Sequence, residues 1–191
     1  WSSDVCSSDL DPILKFDANG KLVKAFGAGM FVFPHGLYVD RQGNVWVTDG
    51  QGRGAQGHQV FKFSPNGQVL MQLGQAGVAG NSRYNFNMPS AVLVAPNGDI
   101  FVADGHGEKT NARIVKFDKD AKYLKTIGQT GSGPAQFNRV HGLVIDAQGN
   151  LYAADAGNNR IQVLDGEGNF KSEIKNVGDR KSTRLNSSHP S

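Results

Sequence analysis

Apolar and polar residues alternate along this chain in short runs separated by turn-forming residues. The clearest stretch reads SAVLVA from Ser90, DIFVAD from Asp99, ARIVKF from Ala112 and YLKTIG from Tyr123. Alternation with a period of two over so few residues predicts half-buried β-strands, and a run such as DIFVAD, apolar on both faces, predicts a strand covered from both sides. No stretch combines a 3.6-residue apolar period with capping residues, so helix is expected to be nearly absent. The breaks between runs carry turn chemistry. Gly43, Gly98 and Gly149 each follow a polar residue and precede Asn or Asp, while Asn19-Gly20, Asn66-Gly67 and Gly168 mark a second set of tight antiparallel turns. In that second set Ala121 stands where glycine is expected.

The four-run pattern recurs. His35, Ser90 and His141 each open a unit that an aspartate closes fourteen positions later, at Asp49, Asp104 and Asp155, and the units start 55 and 51 residues apart. After each aspartate comes a second signature, QVFKF ending at Phe63, RIVKF ending at Phe117 and RIQVL ending at Leu164; ILKF ending at Phe16 is an earlier copy of that half-unit. Repeats of this length indicate stacked supersecondary units. Four-stranded antiparallel units repeated in register fit a β-propeller better than a sandwich, whose turns would not recur in phase. The fold class is therefore all-β, a β-propeller fragment of about three and a half four-stranded blades, too few to close a ring of roughly 4 to 8. Phe31, Phe86 and Phe137, each four residues before a unit start, are expected to wedge between blades.

In a blade the innermost strand runs antiparallel to the second, which brings the start of one and the end of the other to the same rim. His35, Ser90, His141, the three aspartates and His106 should thus share one face. The connections at 50–58, 75–88, 105–111 and 129–139 should emerge there as loops, the usual place for function on a rigid scaffold. The aspartates are expected to act as short acceptors for the N–H groups of the loops that follow them. His58 falls in one of these Gly-rich loops with no role assigned.

Composition narrows the chemistry. Of 191 residues 20 are Lys or Arg and 17 Asp or Glu, a formal charge of +3, and segment 11–178 keeps that charge with 17 basic and 14 acidic residues. So mild and scattered a balance argues against a nucleic-acid partner. No apolar run approaches the ~20 residues of a membrane helix. The single cysteine, Cys6, lies outside 11–178, which leaves that segment without a disulfide, thiolate ligand or thiol nucleophile.

Histidine carries the remaining possibilities. His35 and His141 occupy the same position on alternate blades, with Ser90 between, so in a six-bladed ring they lie about 120° apart. A third histidine on the order of a hundred positions after His141 would complete a threefold set. Three converging imidazoles are a usual cap for catalytic zinc. Alternatively, a histidine at the start of an inner strand can hydrogen-bond a neighbouring blade, and both readings stand at this point. His106, in the Gly-flanked run DGHG, is a candidate proton-transfer residue beside the channel mouth.

The runs GNNRIQVLD at 157–165, AQFN at 135–138 and HGLVIDAQGNLYAAD from His141 resemble NHL repeats, which form six-bladed propellers. The order FVFPHGLYVDRQGNVWVTD, HQVFKF, FNMPSAVLVAPNGDIFVADG, NARIVKF and VHGLVID further resembles the peptidyl-α-hydroxyglycine α-amidating lyase domain across 11–175. The resemblance implies zinc held by three channel histidines, two of them matching His35 and His141, and a structural calcium bound partly through the backbone carbonyl of Leu37. It implies a peptide or small-molecule substrate, a secreted or periplasmic setting, and cleavage of a C-terminal α-hydroxyglycine to an amidated peptide and glyoxylate. Two positions depart from the pattern. His106 stands where the family has a catalytic tyrosine, and Ala156 where it has an arginine for the substrate carboxylate, with Arg160 the nearest other guanidinium. A non-catalytic NHL propeller that binds protein or a small ligand on its loop-rich face is the alternative.

The two ends read differently. Codons TGG AGT TCA GAC GTG TGC TCT TCC GAT CTN encode residues 1–10, and their reverse complement reads through DRKSTRLNSS at 179–188. Both ends, 1–10 and 179–191, resemble translated sequencing adapter and are expected to be disordered and to carry neither targeting nor function.

Overall fold

A computed structural model describes residues 10–177. Apart from Leu10, the expectations for 1–10 and 179–191 fall outside the described residues. Strands β1 (Ile13–Phe16) and β2 (Leu22–Phe26) form a two-stranded antiparallel sheet. Three four-stranded antiparallel sheets follow, each with its strands in sequence order. Blade 1 holds β3 (Pro34–Val39), β4 (Val45–Arg53), β5 (Gln56–Phe63) and β6 (Val69–Leu73). Blade 2 holds β7 (Pro89–Val94), β8 (Ile100–Asp104), β9 (Arg113–Phe117) and β10 (Tyr123–Ile127). Blade 3 holds β11 (Val140–Ile145), β12 (Leu151–Asp155), β13 (Arg160–Leu164) and β14 (Phe170–Lys175). The all-β propeller architecture expected from the repeat is thus the one observed. A single 3-10 turn, Ala156–Asn158, is the helical element among the described residues.

The alternation of side chains explains why the blades stack. Along β8, Ile100 and Val102 face blade 1 in a cluster with Trp46, Val60, Leu73 and Phe86, while Phe101 and Ala103 face blade 3 with Phe137, Val140, Leu151 and Leu164. Each middle blade is therefore apolar on both faces, and its core lies between blades rather than within one. A third cluster joins Ile13, Phe26 and Phe31 of the half-blade side to Val47, Phe61 and Phe63. The wedge expectation holds most fully for Phe86 and Phe137, both at 0% exposure.

The turns repeat as closely as the strands. In the turn after β3, Asp40 accepts from the N–H groups of Gln42 and Asn44 at 3.0 and 2.8 Å, and Gly43 donates back to the Asp40 carbonyl. Asp17, Asp118, Asp146 and Asp165 make the same pair of bonds. Such a turn needs a left-handed residue at its fourth position, which glycine adopts without a Cβ clash. Ala121 takes that conformation anyway, at φ 66°.

One connection differs from expectation. Residues 50–58 are largely strand, because β4 and β5 continue past Asp49 as a ladder pairing Gly52 with Gly57 and Arg53 with Gln56. Their Gly- and Gln-rich composition reads as loop, yet the backbone bonds of a two-stranded extension need no apolar side chains.

Candidate metal centre

The rim pairs Pro34 with Asp49, Pro89 with Asp104 and Val140 with Asp155 in the three inner hairpins. Immediately after each pair the register slips, on the stretch containing His35, Ser90 and His141 respectively. A bulge leaves one residue out of the ladder and turns its side chain aside, as sheets do next to functional sites. The same local defect, repeated on three blades, thus takes these side chains out of the ordinary in-and-out alternation.

His106 reaches the same place from a loop. The N–H groups of Gly105 and His106 both donate to the Met88 carbonyl, at 3.0 and 3.1 Å, and Gly107 is held by the Thr110 hydroxyl. The three imidazoles meet: ring centroids lie 4.3 Å apart for His35 and His106, 5.1 Å for His35 and His141, and 5.0 Å for His106 and His141. One nitrogen from each lies within 4.8 Å of the other two. Zinc with nitrogens at 2.0–2.1 Å sets tetrahedral neighbours about 3.3 Å apart. The side chains would need to draw in by at most about 1.5 Å, a distance within the reach of χ rotations. His35 and His106 are partly buried and His141 exposed. All-imidazole donors suit zinc. Among the described residues this is the one group of three or more His, Cys, Asp or Glu side chains so gathered.

His35 is held from behind. Its Nδ1 donates to the Ser90 carbonyl at 2.9 Å. That bond puts the proton on Nδ1 and leaves the Nε2 lone pair for a ligand, the arrangement found behind metal-bound histidine. Leu37, the residue expected to offer its backbone carbonyl to a separate structural calcium, pairs with Val47 across β3 and β4 and is exposed.

The three aspartates are structural anchors, and the loops they hold are chiefly those preceding each blade rather than those following. Asp49 accepts from the N–H groups of Val32 and Phe33, Asp104 from Asn87 and Asp155 from Asn138. On blades 2 and 3 an arginine completes the clip. Arg113 Nε meets Asp104 at 2.9 Å while its terminal nitrogens bond the carbonyls of Asn81, Ser82 and Asn85. Arg160 likewise binds Asp155, Glu173 and the carbonyls of Gly133 and Gln136. With its guanidinium so engaged, Arg160 does not stand in for an arginine at Ala156. Burial pushes Asp104 up to about 6 against the opposing pull of Arg113. Asp49 is also raised by burial, and Gln59 stands opposite it where blades 2 and 3 carry arginine. His58, half-buried in β5, accepts weakly from the Met88 N–H at 3.4 Å, and burial lowers its pKa.

No helix among the described residues is long and apolar enough to cross a membrane. The profile described as "6-bladed beta-propeller" matches residues 81–179, and the NHL repeat profile matches residues 31–63. Human NHL repeat-containing protein 3 is 36% identical over 162 residues, covering 82% of this chain and 46% of that protein. Drosophila melanogaster peptidyl-alpha-hydroxyglycine alpha-amidating lyase 1 is 39% identical over 178 residues, covering 85% of this chain and 31% of the lyase. The chain thus spans less than half the length of these relatives. Among solved structures, a gluconolactonase from Xanthomonas campestris superposes with a TM-score of 0.62 at 20% identity, covering 90% of this chain and 58% of that one, a likeness of fold. Repeat, blade topology and profile agree, and the chain belongs to the 6-bladed beta-propeller family, with NHL repeats as its building units.

Proposed function

We propose that this chain is the metal-holding part of a propeller lyase, with His35 and His141 as zinc ligands and His106 close enough to serve as a third donor or as the acid/base. The observation that carries the reading is the convergence of three imidazoles from two inner strands and a loop. Relatives named as amidating lyases, at 38 and 39% identity, support the choice of a lyase reaction. Zinc bound there would supply a Lewis acid for a hydroxyl or carbonyl oxygen. The substrate is an α-hydroxyglycine or a related α-hydroxy compound. In its cleavage the C–N bond breaks, the carbon-bound hydroxyl becomes the carbonyl of glyoxylate, and a proton passes from that hydroxyl to the leaving amide nitrogen. His106, when not engaged as a donor, is placed to carry that proton, since imidazole exchanges protons near neutral pH.

Ala156 shapes the substrate preference. A methyl group cannot clamp a carboxylate as a guanidinium does, and Arg160 is committed to Asp155 and Glu173. The reading therefore favours α-hydroxy substrates that depend less on a carboxylate anchor than peptidyl α-hydroxyglycine does. Calcium at the Leu37 carbonyl is structural in this reading and takes no part in the proposed chemistry.

The test is glyoxylate or aldehyde release from a panel of N-acyl α-hydroxyglycines and their carboxamide counterparts, with wild type beside His106→Ala. Release that falls by roughly a hundredfold or more in the variant while its zinc content is unchanged supports the acid/base role, and a fall with loss of zinc supports the donor role. No release from any member by zinc-loaded protein contradicts the lyase assignment.

A further inference from the structure

Ser90 occupies the repeat position that holds histidine on the flanking blades, and it is 1% exposed. Its backbone carbonyl accepts from His35 Nδ1 at 2.9 Å. Its hydroxyl donates to the carbonyl of Val140, the residue before His141, at 2.5 Å, with the Ala103 carbonyl a more distant acceptor at 3.4 Å. One residue of the middle blade therefore touches the strand of each neighbouring histidine. The approach is possible because β3 has glycine at position 36, where a methyl group would collide with the Ser90 carbonyl. Gly36 is in turn fixed by its N–H, which donates to the Thr48 hydroxyl at 2.8 Å.

We infer that Ser90 is a positioning residue for the imidazole cluster: a cross-brace that sets the separation of His35 and His141 across the blade between them. This rests on the metal-site reading for its functional meaning, but the brace itself concerns the protein alone. Removing the hydroxyl leaves the buried Val140 carbonyl without its donor and frees the start of β11 to shift, carrying His141 with it. Outer groups that orient metal-binding histidines are typically worth tenfold to a hundredfold in affinity.

The experiment compares wild type, Ser90→Ala, Ser90→Thr and Val115→Ala. The last removes buried volume from the core between blades 1 and 2 and serves as a destabilised control with the brace intact. Zinc affinity is measured by competition with a chelating dye, and imidazole ring-to-ring NOEs between His35 and His141 are measured in zinc-free protein. The expected result is a loss of about tenfold to a hundredfold in zinc affinity for Ser90→Ala, near wild-type affinity for Ser90→Thr and Val115→Ala, and ring NOEs lost in Ser90→Ala alone. Unchanged affinity and NOEs in Ser90→Ala overturn the brace, as does an equal loss in Val115→Ala or in Ser90→Thr, which would assign the effect to packing. If wild type takes up no zinc, the metal reading falls, and the brace stands or falls on the zinc-free NOEs.

Discussion

Replacing Arg113 by methionine isolates the ion pair that clips the 75–88 connection to blade 2. Methionine keeps much of the length and apolar stem of arginine, so packing changes least and charge changes most. The variant leaves Asp104, at 0% exposure, with its bonds to Asn87 and Asn111 but without a countercharge. Breaking a buried pair from one side costs about 3–5 kcal/mol at neutral pH. The sign of the pH dependence follows from Asp104, whose folded pKa stands at about 6 against an ordinary 3.8. Between those two values the folded state holds the extra proton, so this group's contribution to stability falls as pH rises and levels off above about 6 in the wild type. Without Arg113 the folded pKa climbs further, and the fall continues. The two stability curves should run parallel below pH 6 and separate above it by up to about 1.4 kcal/mol per pH unit. Urea denaturation at pH 5.5, 7 and 8 measures this directly. A destabilisation that is the same at pH 5.5 and pH 8 would refute the reasoning, because it would show that the lost bonds to carbonyls, and not the uncompensated carboxylate, account for the cost.

Other outcomes follow from single residues. Ala121→Gly relieves a left-handed alanine at the cost of a small apolar contact, and should stabilise by about 0.5–1 kcal/mol, raising Tm by roughly 1–4 °C in calorimetry. Phe137→Ala empties the core between blades 2 and 3, and should cost about 3–5 kcal/mol in denaturant titration. Gly36→Ala should push β3 from β7 and weaken zinc binding, which dye competition reads. Asp104→Asn removes the titrating group, so the fall in stability between pH 4 and 6 should flatten relative to wild type.

Most of the scaffold was legible because its causes are local. The period-two runs, the Asx turns with their glycines and the recurrence of His35, Ser90 and His141 at one repeat position sufficed to place three four-stranded blades and a half-blade, and even the irregular Ala121 announced itself as the missing glycine. What sequence could not supply was the position of groups carried by backbone irregularities. His106 belongs to no repeat position, since it sits on a loop after β8, and its meeting with two strand histidines depends on the Met88 carbonyl that pins that loop. Threefold spacing predicts a further histidine on the order of a hundred positions after His141 and says nothing about His106. The signal available was the placement of His106 at the same rim, between two glycines. Ser90 likewise read as an interruption of the histidine pattern, and its bonds to both neighbouring strands emerge only when the blades are packed. The 50–58 stretch reads as loop but extends β4 and β5, because ladder bonds come from the backbone, which composition does not display.

The central claim is that the imidazoles form a zinc site, and the most direct measurement is the metal content of protein purified without a histidine tag, by mass spectrometry after dialysis against zinc. The account predicts about one zinc per chain, lost in a His35→Ala/His141→Ala variant whose circular dichroism retains the β-sheet signal. No zinc on the wild type, or the same amount on the double variant, would contradict it.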